Sequence, residues 1–265
     1  MIKFDAPRFQ ANLFSVTPLD CGIYEIRLTP PKALDDGAAF HYRAGQFCGL
    51  GLVNDAAHMR PYSIAGAPHH EYLEFHIRDN GRGLTAVLCD EARLGDTVYL
   101  TQGAGAVHLA DDISRDIVMF AGGTGYAPMR AMLQSLVAQD FERKLDVFIG
   151  GRDLGALYMR EELLGLREDM PRLSAYFCAD EIGAVLPDVD VDDTGTKVHH
   201  GNLRALAAPY LGAGLADKRI YISGPPAMVM DIRDFALDNH AHQDFMHLDE
   251  ENIAAFITQL NKDKA

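Results

Sequence analysis

Short strand-like runs fill the first hundred residues: ANLFSVTPL, GIYEIRLT, GQFCGLGLV, MRPYSIAG, YLEFHIRD and DTVYLTQG. In the fourth, Tyr62-Ser63-Ile64 alternates polar and apolar side chains, as a half-buried strand does. Clusters rich in Gly, Pro and Asp, such as TPPKALDDG and GAPHH, separate the runs. Short strands at regular spacing predict an antiparallel β-barrel. One segment breaks the rhythm. Residues 83–95, GLTAVLCDEARLG, carry Leu84, Val87, Leu88 and Leu94 at near-helical spacing and predict a short helix.

The texture changes near DDISRD, residues 111–116. DIVMFAGG is a continuous apolar run ending in glycines, the pattern of a buried parallel strand. TGYAPMRAMLQSLVAQ predicts a helix, KLDVFIGGR a strand, MREELLGLRED a helix, RLSAYFCAD a strand, KRIYISGPP a strand and AMVMDIRDFALDNH a helix. QDFMHLD predicts a last short strand and ENIAAFITQLNK a terminal helix. Strands alternating with helices imply a parallel doubly wound sheet. The expected architecture is β followed by α/β, with a barrel domain over residues 1–111 and an α/β domain over 112–265. Residues 181–203 are the least regular and predict a surface loop.

Length agrees with this division, since 265 residues exceed what one core usually spans. Apolar residues make up 48%, enough for two cores. No run approaches the roughly 18 apolar residues that cross a membrane. The start, MIKFDAPRFQ, has no apolar signal core, so a cytoplasmic protein is expected. No long exposed apolar face demands a partner, and a monomer is expected. The net charge of −14 argues against nucleic-acid binding, which needs clustered cations. Small anions remain accessible to a few arginines and helix N-termini. Cys21, Cys48, Cys89 and Cys178 stand far apart, with no C-x2-C and no C-x4-C-x2-C, so neither disulfides nor an iron–sulfur cluster are expected. The pairs His69-His70 and His199-His200 lack metal-ligand spacing and read as solvated loop residues; no metal is expected.

Against that background a few stretches carry chemistry. In FAGGTGYAPMR an apolar strand runs through Gly122, Gly123, Thr124 and Gly125 into a helix, which brings N–H groups to the positive end of a helix dipole. The glycines permit a tight turn and close approach of a phosphate, although the spacing is not G-x-G-x-x-G. In YISGPPAMV another strand ends in Ser223-Gly224, with Pro225 and Pro226 opening a helix. Both turns fall at carboxyl ends of strands, where open α/β sheets bind ligands. In the first half, Arg60, Pro61, Tyr62, Ser63 and Ile64 combine a cation, an aromatic face and a hydroxyl. HIRDNGRGLT adds a cation, Arg78 or Arg82, and a helix start at Gly83, Leu84 and Thr85. Two phosphate-type sites with Tyr62 between them suit a dinucleotide bearing a flat ring system.

Taken in order, AGQFCGL (44–50), RPYSIA (60–65), GRGLTAVL (81–88), AGGTGYAPMR (121–130), GGRDLGALYMREEL (150–163) and SGPPAMV (223–229) resemble the ferredoxin–NADP reductase family across nearly the whole chain. The resemblance implies a flavin-binding barrel joined to a nicotinamide-binding domain. It puts Arg60 on the flavin phosphate, Tyr62 against the isoalloxazine, and Ser63 near N5, with Pro61, Ile64 and Arg78 also at the flavin. Gly83, Leu84 and Thr85 would cradle the pyrophosphate of FAD, which is favoured over FMN. Gly122, Gly123, Thr124 and Gly125 would hold the nicotinamide dinucleotide. Ser223, Gly224, Pro225 and Pro226 would line the nicotinamide, with Ser63 and Ser223 nearest the reacting atoms. Many electron-transfer members have cysteine where this chain has Ser223, and serine also occurs in related flavin reductases.

Asp180 and Glu181 would repel a 2′-phosphate and accept from ribose hydroxyls, which favours NADH; Arg152 argues for NADPH. The implied activity is hydride transfer from NAD(P)H to flavin, then electron release to a separate acceptor: a ferredoxin, an oxygenase component, a flavodoxin or free flavin. A free-flavin reductase and a non-catalytic nucleotide-sensing or subunit module are the alternatives.

Overall fold

The alternating runs of the first hundred residues are strands. In this computed structural model residues 4–35, 39–181, 190–191, 197–211 and 214–248 are described. The chain divides into two units, one of Met1–Leu109 with Ala127–Leu136, the other of Ala110–Tyr126 with Val137–Ala265.

The first unit is built on β1 (Phe9–Pro18), β2 (Ile23–Leu28), β3 (Lys32–Ala33), β4 (Phe47–Gly51), β5 (Arg60–Ser63), β6 (Leu73–Arg78) and β7 (Thr97–Leu100), with a one-and-a-half-turn helix α1 (Gly83–Leu88) after β6. The antiparallel order is β5-β4-β7-β1-β2-β6, with β3 on β1. A bridge from Ile64, just past β5, to Phe75 in β6 joins the two ends and closes the barrel. In β1, Phe9, Ala11 and Leu13 point inward; the register then shifts between Leu13 and Ser15, and Val16 is the next inward residue. One extra residue changes which parity faces the core, so strict alternation fails there. The core gathers Phe9, Ile26, Leu28, Leu50, Ile64 and Phe75. The helix predicted over 83–95 stops at Leu88, and Asp90 then caps a separate 3-10 turn, Glu91–Arg93.

The second unit follows the predicted strand–helix alternation. Its strands are β8 (Ile117–Gly122), β9 (Leu145–Asp153), β10 (Leu173–Glu181), β11 (Asp190–Val191), β12 (Lys197–His200), β13 (Arg219–Ser223) and β14 (Met246–Leu248). The helices of this half of the chain are α2 (Tyr126–Val137), α3 (Arg160–Gly165), α4 (Leu203–Leu211) and α5 (Pro226–Asp238). The sheet order is β11-β12-β10-β9-β8-β13-β14, parallel except for β11. Every residue of β8 is buried, as its continuous apolar run requires. From α4 and α5, Leu203, Leu206, Val229, Ile232 and Phe235 pack with Phe120, Phe148 and Ile222 of the sheet. Among the described residues no helix is long and apolar enough to cross a membrane.

Two expectations need correction. The surface loop read over 181–203 contains β12, which pairs in parallel with β10 (Phe177 to Val198, Cys178 to His199). His199 and His200 therefore lie on a strand rather than in a loop. KVHH holds one apolar residue, Val198, and is too short to show a period. Helix α4 was also missed, because Pro209 sits inside it. The predicted terminal helix lies outside the described residues.

Candidate active site

In the first unit β5 pairs with β4 so that Phe47 faces Ser63, Cys48 faces Tyr62 and Leu50 faces Arg60. Arg60 and Pro61 are exposed, Tyr62 and Ser63 half-buried and Ile64 buried, a gradient from solvent to core within five residues. The Arg60 guanidinium donates to the carbonyls of Met59 (2.8 Å) and Ala57 (3.2 Å). Those contacts fix its direction without neutralising its charge. Tyr62 packs against the barrel core, and burial pushes its phenol above the usual range, so it stays a neutral ring.

The turn after β6 is held by its own side chains. Asp79 and Asn80 accept from the N–H groups of Gly81 (2.8 Å) and Arg82 (3.2 Å), and the Thr85 hydroxyl lies 2.6 Å from the Asn80 carbonyl oxygen. Gly83 has φ +61° with open space where a Cβ would stand. Conformation rather than crowding demands glycine there. Arg82 gives no side-chain cap to α1. The first N–H groups of a helix have no intrahelical acceptor, so those of Gly83, Leu84 and Thr85 need acceptors from outside α1. Arg78 ends β6 and donates to the Cys21 carbonyl at 2.7 Å.

In the second unit β8 and β13 are parallel neighbours, with Ser223 beside Ala121. The sheet order reverses between them: β9, β10 and β12 succeed β8 on one side, and β14 succeeds β13 on the other. This is the switch point at which doubly wound sheets form a crevice. The two turns predicted to share a pocket leave these strands and touch. A Cβ on Gly125 would collide with the Ser223 carbonyl, and one on Gly122 would lie 2.6 Å from the Met228 sulfur. Gly224, at φ +148°, packs on the Gly122 backbone. Gly123 differs: at φ +53° it has nothing near its missing Cβ. Gly122, Gly125 and Gly224 thus serve packing between the turns, while Gly123 keeps open space. Thr124 and Ser223 are half-buried, and Pro226 occupies the first turn of α5.

At the same end of the sheet Arg152, Asp153, Asp180 and Glu181 terminate β9 and β10, with Glu181 paired to Asp153. Arg152 forks onto the Asp153 carboxylate at 3.1 and 3.2 Å. Asp180 and Glu181 are exposed.

The family profile of the oxidoreductase NAD-binding domain matches residues 119–234, which span both turns and the ends of β9 and β10. Reductase component 1 of terephthalate 1,2-dioxygenase from a Comamonas species is 26% identical over 234 residues, 87% of this chain and 64% of that protein. The NAD(P)H-flavin reductase of Vibrio harveyi is 31% identical over 166 residues, 60% of this chain and 67% of that one. The chain belongs to the ferredoxin–NADP reductase family. Its fold agrees: the ferredoxin reductase in carbazole 1,9a-dioxygenase superimposes with a TM-score of 0.74 at 19% identity, over 93% of this chain and 70% of that one. This family member spans just under two thirds of the length of the terephthalate component.

One cluster escaped the sequence reading. Glu74 and His76 are buried in β6, where LEFHIR alternates as if one face met water. Instead Glu74 meets Glu25, Arg27 and Arg130. A polar residue alternating into a strand whose two faces are both covered was the available signal, and it needs the strand's neighbours to be read.

Proposed function

We propose that this chain is an NAD(P)H-dependent flavoprotein reductase that takes hydride onto bound FAD and passes electrons to a separate acceptor. The contact between the Gly122–Gly125 and Ser223–Pro226 turns carries the proposal, since it brings both motifs to the switch point where such sheets take nucleotides. The names of its relatives, an oxygenase reductase component and an NAD(P)H-flavin reductase, support the two-substrate reading.

The residues fit the groups they would hold. Gly83 and Gly123 leave open space beside turns whose N–H groups suit phosphate. Arg60, anchored by two carbonyls, would balance a flavin phosphate, Tyr62 would offer a ring face, and Ser63 would place a hydroxyl at the edge of the isoalloxazine. Arg78 would add charge to that side, with Pro61 and Ile64 shaping the strand. Thr124 and Ser223 would orient the nicotinamide, with Pro225 and Pro226 as its wall. Flavin, when bound, would supply the hydride-accepting, electron-carrying centre; the protein's share would be orientation and exclusion of water. NADH is the preferred donor, because the exposed acids Asp180 and Glu181 would stand beside the ribose and repel a 2′-phosphate, while Arg152 pairs with Asp153.

An anaerobic NADH titration of the purified protein, followed by its visible spectrum, tests this. Retained flavin that bleaches with one equivalent of NADH is the expected result. A colourless protein that turns over only with added flavin would replace it with the free-flavin reductase. A colourless protein inactive with flavin would leave the non-catalytic module.

A further inference from the structure

Four charged side chains from three elements meet beside the segment that follows RPYS. Arg27 in β2 reaches Glu25 at 3.1 Å and Glu74 in β6 at 3.4 Å. Arg130 of α2 reaches the same Glu74 oxygen at 3.2 Å and donates to the Ala65 carbonyl at 3.2 Å. Glu74 and Arg130 are buried; Glu25 keeps only a narrow opening to solvent, 13% of its side chain. Both carboxylates lie on the same Arg27 nitrogen, and their oxygens come within 4.8 Å of each other. Two like charges that close favour holding one proton between them.

Glu25, Glu74 and His76 have ligand atoms within 4.8 Å of one another, yet a metal ion is a poor occupant. Arg27 and Arg130 already supply the positive charge there, and a third cation would be repelled.

The pair sits against the segment that ends the candidate flavin strand. The Ala65 N–H donates to the Glu74 carbonyl at 2.8 Å, and its own carbonyl receives Arg130. A Cβ on Gly66 would lie 3.2 Å from the Glu74 side chain. The Glu74 carboxylate is thus linked to the Ala65 carbonyl through Arg130 and lies against Gly66.

Resting on the flavin reading above, we infer that Glu25 and Glu74 share one proton, and that its loss loosens Arg130's hold on Ala65 and weakens flavin binding. With the proton in place, Glu74 is fixed by Glu25 and balanced by the arginines. Without it the two carboxylates repel each other and compete for Arg27. The proton leaves through Glu25, whose carboxyl is pushed up to about 7, first by burial and then by Glu74. The other titratable neighbours do not mimic this. Burial and Arg130 hold His76 down at about 3, burial and His69 push His70 below its ordinary value, and burial keeps the Tyr42 phenol neutral.

The test is FAD binding to the flavin-free full chain at about pH 6 and pH 8.5, by quenching of flavin fluorescence. Wild type is expected to bind about tenfold more weakly at the higher pH. Glu25→Gln, whose amide donates to Glu74 as the acid does, is expected to bind equally at both, at the wild-type low-pH affinity. An infrared carboxylic-acid band that titrates near neutrality in wild type and is missing in E25Q is expected alongside. Equal wild-type binding at both pH values, or the same pH slope in E25Q, overturns the inference alone. No FAD binding at either pH overturns the flavin reading beneath it.

Discussion

At the scale of single residues, the chemistry rests on short side chains held at chosen depths. Ser63 is half-buried between exposed Pro61 and buried Ile64, a depth that suits a hydroxyl offered to a ligand's edge. Ser63→Ala is expected to slow NADH oxidation about tenfold with little loss of stability, the worth of one hydrogen bond; stopped-flow bleaching of flavin would measure it, and an unchanged rate would remove Ser63 from the reaction. Glu25 makes a prediction of a different kind. Its folded carboxyl titrates at about 7 against 4.5 in an open chain. A raised value means that the folded state holds a proton the unfolded chain has lost. Its stability contribution is present below about 4.5 and is lost as pH rises through about 7. Urea midpoints at pH 5 and 8 should fall in wild type, and fall less in Glu25→Gln. Arg27, Glu74 and Arg130 could not be read together from the sequence. They meet because Arg27 pairs with Glu74 in strand register while Arg130 arrives from a helix, and no local pattern encodes either event.

At the scale of elements, the two glycine turns separate packing from access. A methyl on Gly125 has no room against the Ser223 carbonyl, whereas one on Gly123 meets open space but a left-handed backbone. Gly125→Ala is expected to cost at least about 2–3 kcal/mol and lower Tm by several degrees. Gly123→Ala should cost about 1 kcal/mol from φ alone, keep its fold, and raise the KM for NADH. Calorimetry with steady-state kinetics on the pair checks both; equal KM values for G123A and wild type would mean that nothing approaches that turn. These turns were legible in the sequence because strand, glycines and helix start are contiguous. So was β8, whose burial on both faces leaves an unbroken apolar run. Strand β12 was not, because four residues with one buried side chain take their identity from pairing with β10. The change of parity in β1 was hidden for the same reason: the irregularity exists only relative to β2.

At the scale of the whole molecule, the proposed electron transfer makes charge decide which acceptors approach. The chain carries −14, so at long range an acidic protein is repelled. Close in, Arg60 and Arg78 on the elements proposed to hold flavin are anchored to backbone carbonyls, contacts that leave their charge intact, and Arg82 stands exposed at the start of α1. Screening sets the range over which each effect acts. At ~0.1 M salt the Debye length is about 10 Å, short enough to hide most of the distant carboxylates but not a cation at the docking edge. An acidic ferredoxin-type acceptor is therefore expected to be reduced at a rate that rises as salt increases from very low values, passes a maximum, and falls once the local arginines are screened as well. Neutral riboflavin, which feels neither field, should show a flat profile. Replacing Arg82 with Gln should lower the maximum for the acidic acceptor severalfold and leave riboflavin reduction unchanged. A rate that climbs steadily with salt and ignores Arg82 would mean that the net charge governs the encounter throughout, and that the natural acceptor is uncharged or basic.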